Sequence, residues 1–285
     1  MQVSNQAVIL QAERELEAHG LEPRIATLLF QDMFNLYNVD FTLALRDTMT
    51  LENQKKFHSG MKRVLDGEPY QYIVGFAHFY GSQFSVNPHV LIPRFETEEL
   101  VQLILEREPT SGIKVADIGT GSGAIGLSLR KYSENIVYMS DAFQEALSVA
   151  ERNREILNEN NNKVHFLHGD MIEPFIERGI KVDVLVSNPP YIDIREVDVM
   201  SFDTLNFEPH SALFAEDNGL YFYKHMVSNL DKILEPNGRV YFEIGYRQGE
   251  VLKEYIEKIW PNVNVEIIKD INQNDRIIYF LWEVL

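Results

Sequence analysis

Cysteine is missing from this chain of 285 residues. Disulfides, thiolate catalysis and cysteine-ligated zinc are thereby excluded, although the absence does not fix a redox compartment. Also lacking is any apolar run near the roughly 18 residues that a membrane-spanning helix needs, and the N-terminus lacks the charged-then-apolar order of a signal peptide. A soluble cytoplasmic protein, with no membrane partner, is expected. Basic clusters are absent too: the formal charge is −17 and the pI is near 4.9. A protein that grips extended nucleic acid sets Lys and Arg against several phosphates, so no direct nucleic-acid substrate is expected. The acidic surface suits a basic partner or simply favours solubility. The eight histidines are scattered. His165 and His168 are the nearest pair, and their spacing in a strand sends them to opposite faces, so no metal site is expected.

What is present reads as two domains, one large and one small. Residues 1–74 form a bundle of short helices in this reading. Val8, Ile9, Ala12 and Leu16 recur at helical spacing, with Gly20 placed as a C-terminal cap. Pro23 fits the first turn of a second helix carrying Ile25, Leu28, Leu29 and Leu36. Thr50 is a candidate N-cap for a third, with Leu51, Phe57, Met61 and Leu65 as its stripe, ending at Gly67. Residues 75–95 read as a connector, because 76–92 alternate and are aromatic-rich around Gly81, a hairpin pattern. From 96 to 285 helical and strand-like stretches alternate. Strands are expected at Lys114–Ile118, Ile136–Met139, Lys163–Leu167, Val182–Val186, Arg239–Ile244, Val263–Ile268 and Ile277–Trp282, with helices such as Phe143–Asn158 and Leu220–Leu234. Such alternation implies an α/β domain with a mostly parallel sheet covered on both faces. The last two strands are too close for a parallel crossover and should form an antiparallel hairpin. Seven strands ending in an antiparallel pair is the pattern of the class I, Rossmann-like methyltransferase fold.

Two loops carry the chemistry. Residues 115–126 read VADIGTGSGAIG, a strand running into Gly119, Gly121 and Gly123 and then a helix. Glycine permits a tight turn and close approach to a ligand, and the helix start presents free N–H groups. Asp141 ends the next strand, where a carboxylate accepts from ribose hydroxyls. Gly121, Gly123 and Gly126 also satisfy the dinucleotide pattern, so an NAD-binding reading stands beside S-adenosylmethionine. Asp117 favours the latter, because a nearby carboxylate repels a diphosphate. Asp170 and Met171 follow the third strand, placed to accept from an adenine amino group and to pack on its ring.

The second loop follows the fourth strand as Asn188-Pro189-Pro190-Tyr191. Its prolines remove donors and stiffen the chain. A planar amide or amine nitrogen is a poor nucleophile whose hydrogens must be held aside from the line of attack. The Asn188 side-chain oxygen and the Pro189 carbonyl are suited to accept those two N–H bonds. Tyr191 is suited to stack on the planar group and to touch a sulfonium methyl. Adenine-N6 and glutamine-amide methyltransferases share this loop. The segments GEPYQYIVG (67–75), LIPRFETEEL (91–100), DIGTGSGAIG (117–126), VSNPPYI (186–192), FEPHSALFAEDNGL (207–220) and EIGYRQGE (243–250) together resemble the HemK/PrmC family. That resemblance implies methyl transfer from S-adenosylmethionine to the glutamine of the Gly-Gly-Gln motif in peptide chain release factors, with adenine-N6 methylation of nucleic acid as the alternative. It implies that Gly119, Thr120, Gly121, Ser122, Gly123, Asp141, Met171 and Asn188 line the cofactor site. Asn188, Pro189, Pro190 and Tyr191 would hold the glutamine, and the N-terminal bundle would help dock the substrate. The chain departs from the family at Phe95, where proline is usual, and at Asn272-Gln273, where an Ala-Gly-like pair is usual. Arg94 and Glu96 read as parts of a structural ion pair.

Overall fold

The computed structural model describes residues 3–159 and 162–283. The chain divides into two compact units, one running to Phe76 and taking in Ser201–Phe207, the other comprising Ala77–Met200 and the chain from Glu208. Most of the stretch 75–95 therefore belongs to the second unit. The residue pattern of 201–207 does not mark it as part of the first.

The first unit holds α1 (Asn5–Ala18), α2 (Arg24–Phe34), α3 (Asn38–Ala44), α4 (Leu51–Leu65) and α5 (Tyr70–Val74). Ser4 and Thr50 cap α1 and α4 by accepting from the backbone of Ala7 and Asn53 at 3.3 and 3.2 Å, which satisfies N–H groups a helix start leaves free. Val8, Ile9, Ala12, Leu16, Leu29, Phe30, Phe57 and Met61 are buried as one cluster. Two expected helix-stripe positions differ. Leu51 is the first residue of its helix and is 78% exposed. Leu36 packs against the cluster but lies beyond α2, because Asn35 turns left-handed at φ 53° and ends the helix.

The second unit opens with a hairpin, β1 (Phe76–Phe79) and β2 (Ser82–Ser85), narrower than the expected 76–92, and then α6 (Phe95–Arg107). There follow β3 (Lys114–Ile118), α7 (Ala124–Lys131), β4 (Ile136–Asp141), α8 (Gln144–Ile156), β5 (Val164–His168), α9 (Glu173–Arg178) and β6 (Val182–Ser187). After the short α10 (Phe202–Phe207) of the first unit come α11 (Glu216–Gly219), α12 (Tyr221–Val227), α13 (Leu230–Ile233), β7 (Leu234–Glu243), α14 (Gly249–Ile259), β8 (Glu266–Lys269) and β9 (Asp275–Trp282). The large sheet has the order β5-β4-β3-β6-β7-β9-β8, with β9 antiparallel to both neighbours. This is the expected seven-stranded, mostly parallel sheet with its closing hairpin. The expected helix Leu220–Leu234 is broken. Asn229 leaves the helical region at φ −129°, ψ 18°, and its Nδ2 and Trp260 Nε1 donate to the carbonyls of His225 and Val227, both at 2.8 Å, at this helix end.

Chain order reverses between β3 and β6, the place where open α/β sheets hold ligands. Ile118 pairs with Ser187 in register, and Ser187 Oγ donates to the Ile118 carbonyl at 2.7 Å. The two chemically interesting loops therefore leave the sheet side by side at one edge.

Candidate active site

At the end of β3 the backbone amides of Gly119 and Thr120 both donate to the Ser140 carbonyl at 2.9 Å. Gly119 and Gly121 take φ of 70° and 55°, and a Cβ at either would meet nothing within 4 Å. Conformation, not crowding, demands glycine there, and the space beside them is a cavity. Gly126 is different: a Cβ would lie 2.5 Å from Met139 Sδ, so helix α7 can approach the sheet only without one.

Asp117 is fully buried behind this turn. Its Oδ2 accepts from Thr120 Oγ1 at 2.6 Å and from the Gly126 amide at 2.9 Å, while Oδ1 has no partner among the described residues. Burial pushes its carboxyl up to about 6, against those two hydrogen bonds. The side chain braces the loop and does not line the cavity. Any repulsion of a diphosphate, the role expected of it, acts from behind the loop and not from the cavity wall.

The cavity encloses about 440 Å³, within the usual size of small-molecule sites. Gly119, Thr120, Gly121 and Ser122 form one side, Asp141, Asp170 and Met171 another, and Asn188, Pro189 and Pro190 a third. Gly123 does not face it; its left-handed turn packs against Leu127 and Ala150. Asp141 Oδ2 accepts from the Gly121 amide at 2.9 Å and Oδ1 from the Phe143 amide at 3.0 Å. Burial raises its carboxyl above the ordinary range, the amides opposing. Each oxygen keeps a lone pair for a further donor. Met171 is buried at the left-handed φ of 41°, its carbonyl held by Ser140 Oγ at 3.1 Å. The Asp170 carbonyl accepts from the Glu173 amide, while its exposed carboxylate faces the cavity. Asp141 and Asp170 outnumber the one cavity-lining guanidinium, Arg94. Such a lining suits a cation and hydroxyl groups better than a diphosphate.

Asn188 Nδ2 donates to Thr97 Oγ1 at 3.3 Å. The Asn188 side-chain oxygen accepts no hydrogen bond among the described residues, and neither proline supplies one. Tyr191 stands apart from the other three residues of the loop. It lines a second cavity of about 460 Å³ with Gly245, Tyr246 and Gln248, and burial pushes its hydroxyl up to about 12. Its carbonyl accepts from Gln248 Nε2 at 2.9 Å. Beyond it, Ile192 exchanges backbone hydrogen bonds with Leu213 and Ala215 at 3.0 and 2.9 Å. The corner is thus tied to the chain on both sides.

Several lining residues carry no signal of their own in the sequence, among them Phe143, Phe214, Tyr221 and Phe222. The segment 207–220 stands out as a motif without assigned roles. Glu208 in it accepts from the Ile92 amide at 3.1 Å and from Arg94 at 2.5 Å. Arg94 is therefore in a structural ion pair, with Glu208 and not with Glu96, and the pair ties the 91–100 motif to the 207–220 motif.

The profile of the Methyltransferase small domain family matches residues 96–222, and that of the PrmC N-terminal domain matches residues 7–75. A release factor glutamine methyltransferase of Staphylococcus aureus is 41% identical over 264 residues, covering 92% of this chain and 94% of that protein. A protein of the same name from Enterococcus faecalis is 37% identical over 263 residues, covering 92% and 93%. Among solved structures, a methyltransferase from Pyrococcus furiosus matches with a TM-score of 0.54 at 20% identity, over 79% of this chain and 99% of that one, a likeness of fold alone.

Proposed function

The chain belongs to the release factor glutamine methyltransferase family, and we propose that it transfers a methyl group from S-adenosylmethionine to the side-chain amide nitrogen of the glutamine in the Gly-Gly-Gln motif of peptide chain release factors. Its second unit has the class I methyltransferase fold. One observation carries the proposal: the glycine turn, Asp141, Asp170, Met171 and the Asn188-Pro189-Pro190 corner border a single cavity.

The cavity fits the cofactor. The carboxylate excess suits its sulfonium, Asp141 retains lone pairs for ribose hydroxyls, Asp170 faces the cavity for an adenine amino group, and Met171 lies beside it for the ring. When bound, S-adenosylmethionine supplies an electrophilic methyl carbon on a positively charged sulfur. The chain's own work is alignment. Asn188 Oδ1 and the Pro189 carbonyl accept the two N–H bonds of the glutamine amide, which turns the face of its nitrogen toward the methyl. Pro190 keeps the corner stiff, and Tyr191 anchors it from behind through Gln248. The nitrogen sheds a proton once the new bond has formed, so no strong base is needed beforehand. Good alignment is worth on the order of 7–11 kcal/mol, more than anything else these residues can offer the reaction. The N-terminal bundle takes the docking role in this proposal, and the enzyme acts in the cytoplasm, where its substrate works.

The test is transfer of labelled methyl to a purified release factor, with a factor whose motif glutamine is alanine as control. Labelling of the first alone is expected. Equal labelling of both would refute the assignment, and labelling of an oligonucleotide in place of either would favour the adenine-N6 alternative.

A further inference from the structure

Outside the cavity lies a buried acid that the reaction as described does not use. Glu243 ends β7 and is 2% exposed. Ser187 pairs with Phe242 in register, so Glu243 is the neighbour across from Asn188 at the sheet edge. Between them stands Thr97 of α6, itself 4% exposed. The Thr97 hydroxyl faces the Glu243 carboxylate, which it favours in the charged form as a donor does, and it accepts from Asn188 Nδ2 at 3.3 Å. Glu243 Oε2 has no partner among the described residues. A carboxylate buried with an idle oxygen is costly, and a group retained at such a cost needs a reason.

Donor and acceptor logic supplies one. A side-chain amide is nearly symmetric in shape, and only its hydrogen-bond partners decide which end faces which way. An ionised carboxylate can only accept. Thr97 must then spend its single hydrogen on Glu243, and its oxygen is left to accept. Asn188 must turn its NH₂ toward Thr97, which leaves its oxygen for the substrate. We propose that Glu243, acting through the Thr97 hydroxyl, is a positioning residue that locks the Asn188 amide with its oxygen toward the reacting nitrogen. This inference rests on the methyl-transfer reading for its consequence, though not for its geometry.

Protonation undoes the lock. A neutral carboxyl can donate to Thr97, freeing the hydroxyl hydrogen to meet the Asn188 oxygen and allowing the flipped amide. The groups facing Glu243 set where that happens: Arg276 of β9, with Arg94 and Glu96 at the start of α6, Tyr191 of the corner, and Tyr223 of α12, whose hydroxyl donates to the Glu243 carbonyl at 2.6 Å. The two guanidiniums favour the carboxylate and Glu96 opposes it, while burial raises the group to about 7.

Three variants test the lock. Thr97→Val keeps the shape and removes the hydroxyl; Thr97→Ser restores it. With release factor as substrate, Thr97→Val is expected to lower kcat by up to about 10²-fold, the cost of a misplaced reacting group, with S-adenosylhomocysteine affinity by calorimetry unchanged. Thr97→Ser recovers most of the loss. Wild-type kcat falls as pH drops through about 7, and this acid limb is missing in Glu243→Gln, which cannot titrate. Independently of any substrate, the Asn188 side-chain NH₂ resonance, assigned by its loss in Asn188→Asp, shifts over the same pH range in wild type and not in Glu243→Gln. Wild-type turnover in Thr97→Val, loss of cofactor affinity in that variant, or an Asn188 resonance indifferent to pH would each overturn the proposal. Should the purified protein fail to label release factor, the functional assignment falls, while the resonance titration still decides the lock.

Discussion

Gly219 offers a way to move the Asn-Pro-Pro-Tyr corner without touching its side chains. The residue sits at φ 79° at the end of α11. A Cβ there would lie 2.8 Å from the Tyr191 carbonyl carbon and 2.6 Å from Gln248 Nε2, and closer still to the Tyr191 carbonyl oxygen. Ordinary carbon contacts are about 3.5–4.0 Å, so in Gly219→Ala the Tyr191 peptide must retreat by about 1 Å. Gln248 must also release or stretch its 2.9 Å hydrogen bond to that carbonyl. Left-handed strain adds about 1–2 kcal/mol and overpacking about 1–3 kcal/mol, a total of about 2–5 kcal/mol of stability. A shift of about 1 Å at a positioned group is worth up to about 10² in rate. The control is Gly179→Ala, where φ is 61° and a Cβ would meet nothing within 4 Å: it carries the strain alone and leaves turnover intact. Denaturant unfolding reads the loss of stability, and steady-state methyl transfer reads the displacement. Wild-type kcat in Gly219→Ala, in protein shown to be folded, would refute the claim that the corner's backbone position sets the rate.

Other perturbations probe separate links. Asn188→Ala is expected to lower kcat by roughly 10²–10³, as loss of one aligned polar group does at a reacting centre; steady-state kinetics that match wild type would count against the mechanism. Asp141→Ala removes a carboxylate whose charge-assisted bonds are worth about 1.5–3 kcal/mol each, so calorimetry should show at least about tenfold weaker S-adenosylhomocysteine binding; an unchanged Kd would remove Asp141 from the cofactor site. Glu208→Ala strips the partner from Arg94 and the Ile92 amide; Arg94 is 36% exposed and its charge stays solvated, so the expected cost in denaturant unfolding is about 1–3 kcal/mol, that of the unsatisfied amide. Stability should also depend on pH near neutrality. Asp117 and Glu243 are raised to about 6 and about 7, so the folded protein holds protons the unfolded chain releases near pH 4. Their contribution is full below that value and is lost as pH rises through 6 to 7. Unfolding at pH 6 should therefore require about 2 kcal/mol more than at pH 8, and Glu243→Gln should remove most of that difference.

Legibility in the sequence followed the range of the interactions. Glycines at 119, 121 and 123 are demanded by local conformation, and prolines at 189 and 190 are local restrictions, so both loops are visible as strings of residues. Leu36 and the helix over 220–234 mislead because the breaks come from the backbone turns at Asn35 and Asn229. Apolar periodicity carries no trace of those choices. Thr97 and Glu243 are hidden for another reason. Thr97 lies 91 residues from Asn188, and Glu243 reads from its neighbours as an ordinary strand end. Asp117 is conspicuous but easily misassigned, since a sequence places it beside the glycine turn without saying that it stands behind it. The departure at Asn272-Gln273 has a local trace: Gln273 adopts φ 66°, a conformation in which the family's glycine is unstrained.

The supports of the Asn188 corner explain one another when taken together. Thr97 holds the side chain of Asn188, Gln248 holds the carbonyl of Tyr191 in the space that Gly219 leaves for want of a Cβ, and the 213–215 strip holds Ile192. None of these residues is a base, and each removes a degree of freedom from the chain around Asn188 and Pro189. An amide nitrogen gains little from deprotonation before attack, so a site that serves it must lower the barrier through geometry. Geometry is lost as readily by moving a support as by deleting the group supported. Substitutions at Gly219 and Thr97, neither of which touches the reacting nitrogen, should therefore cost about as much in kcat as Asn188→Ala, and a site working by proton transfer would not show that equivalence.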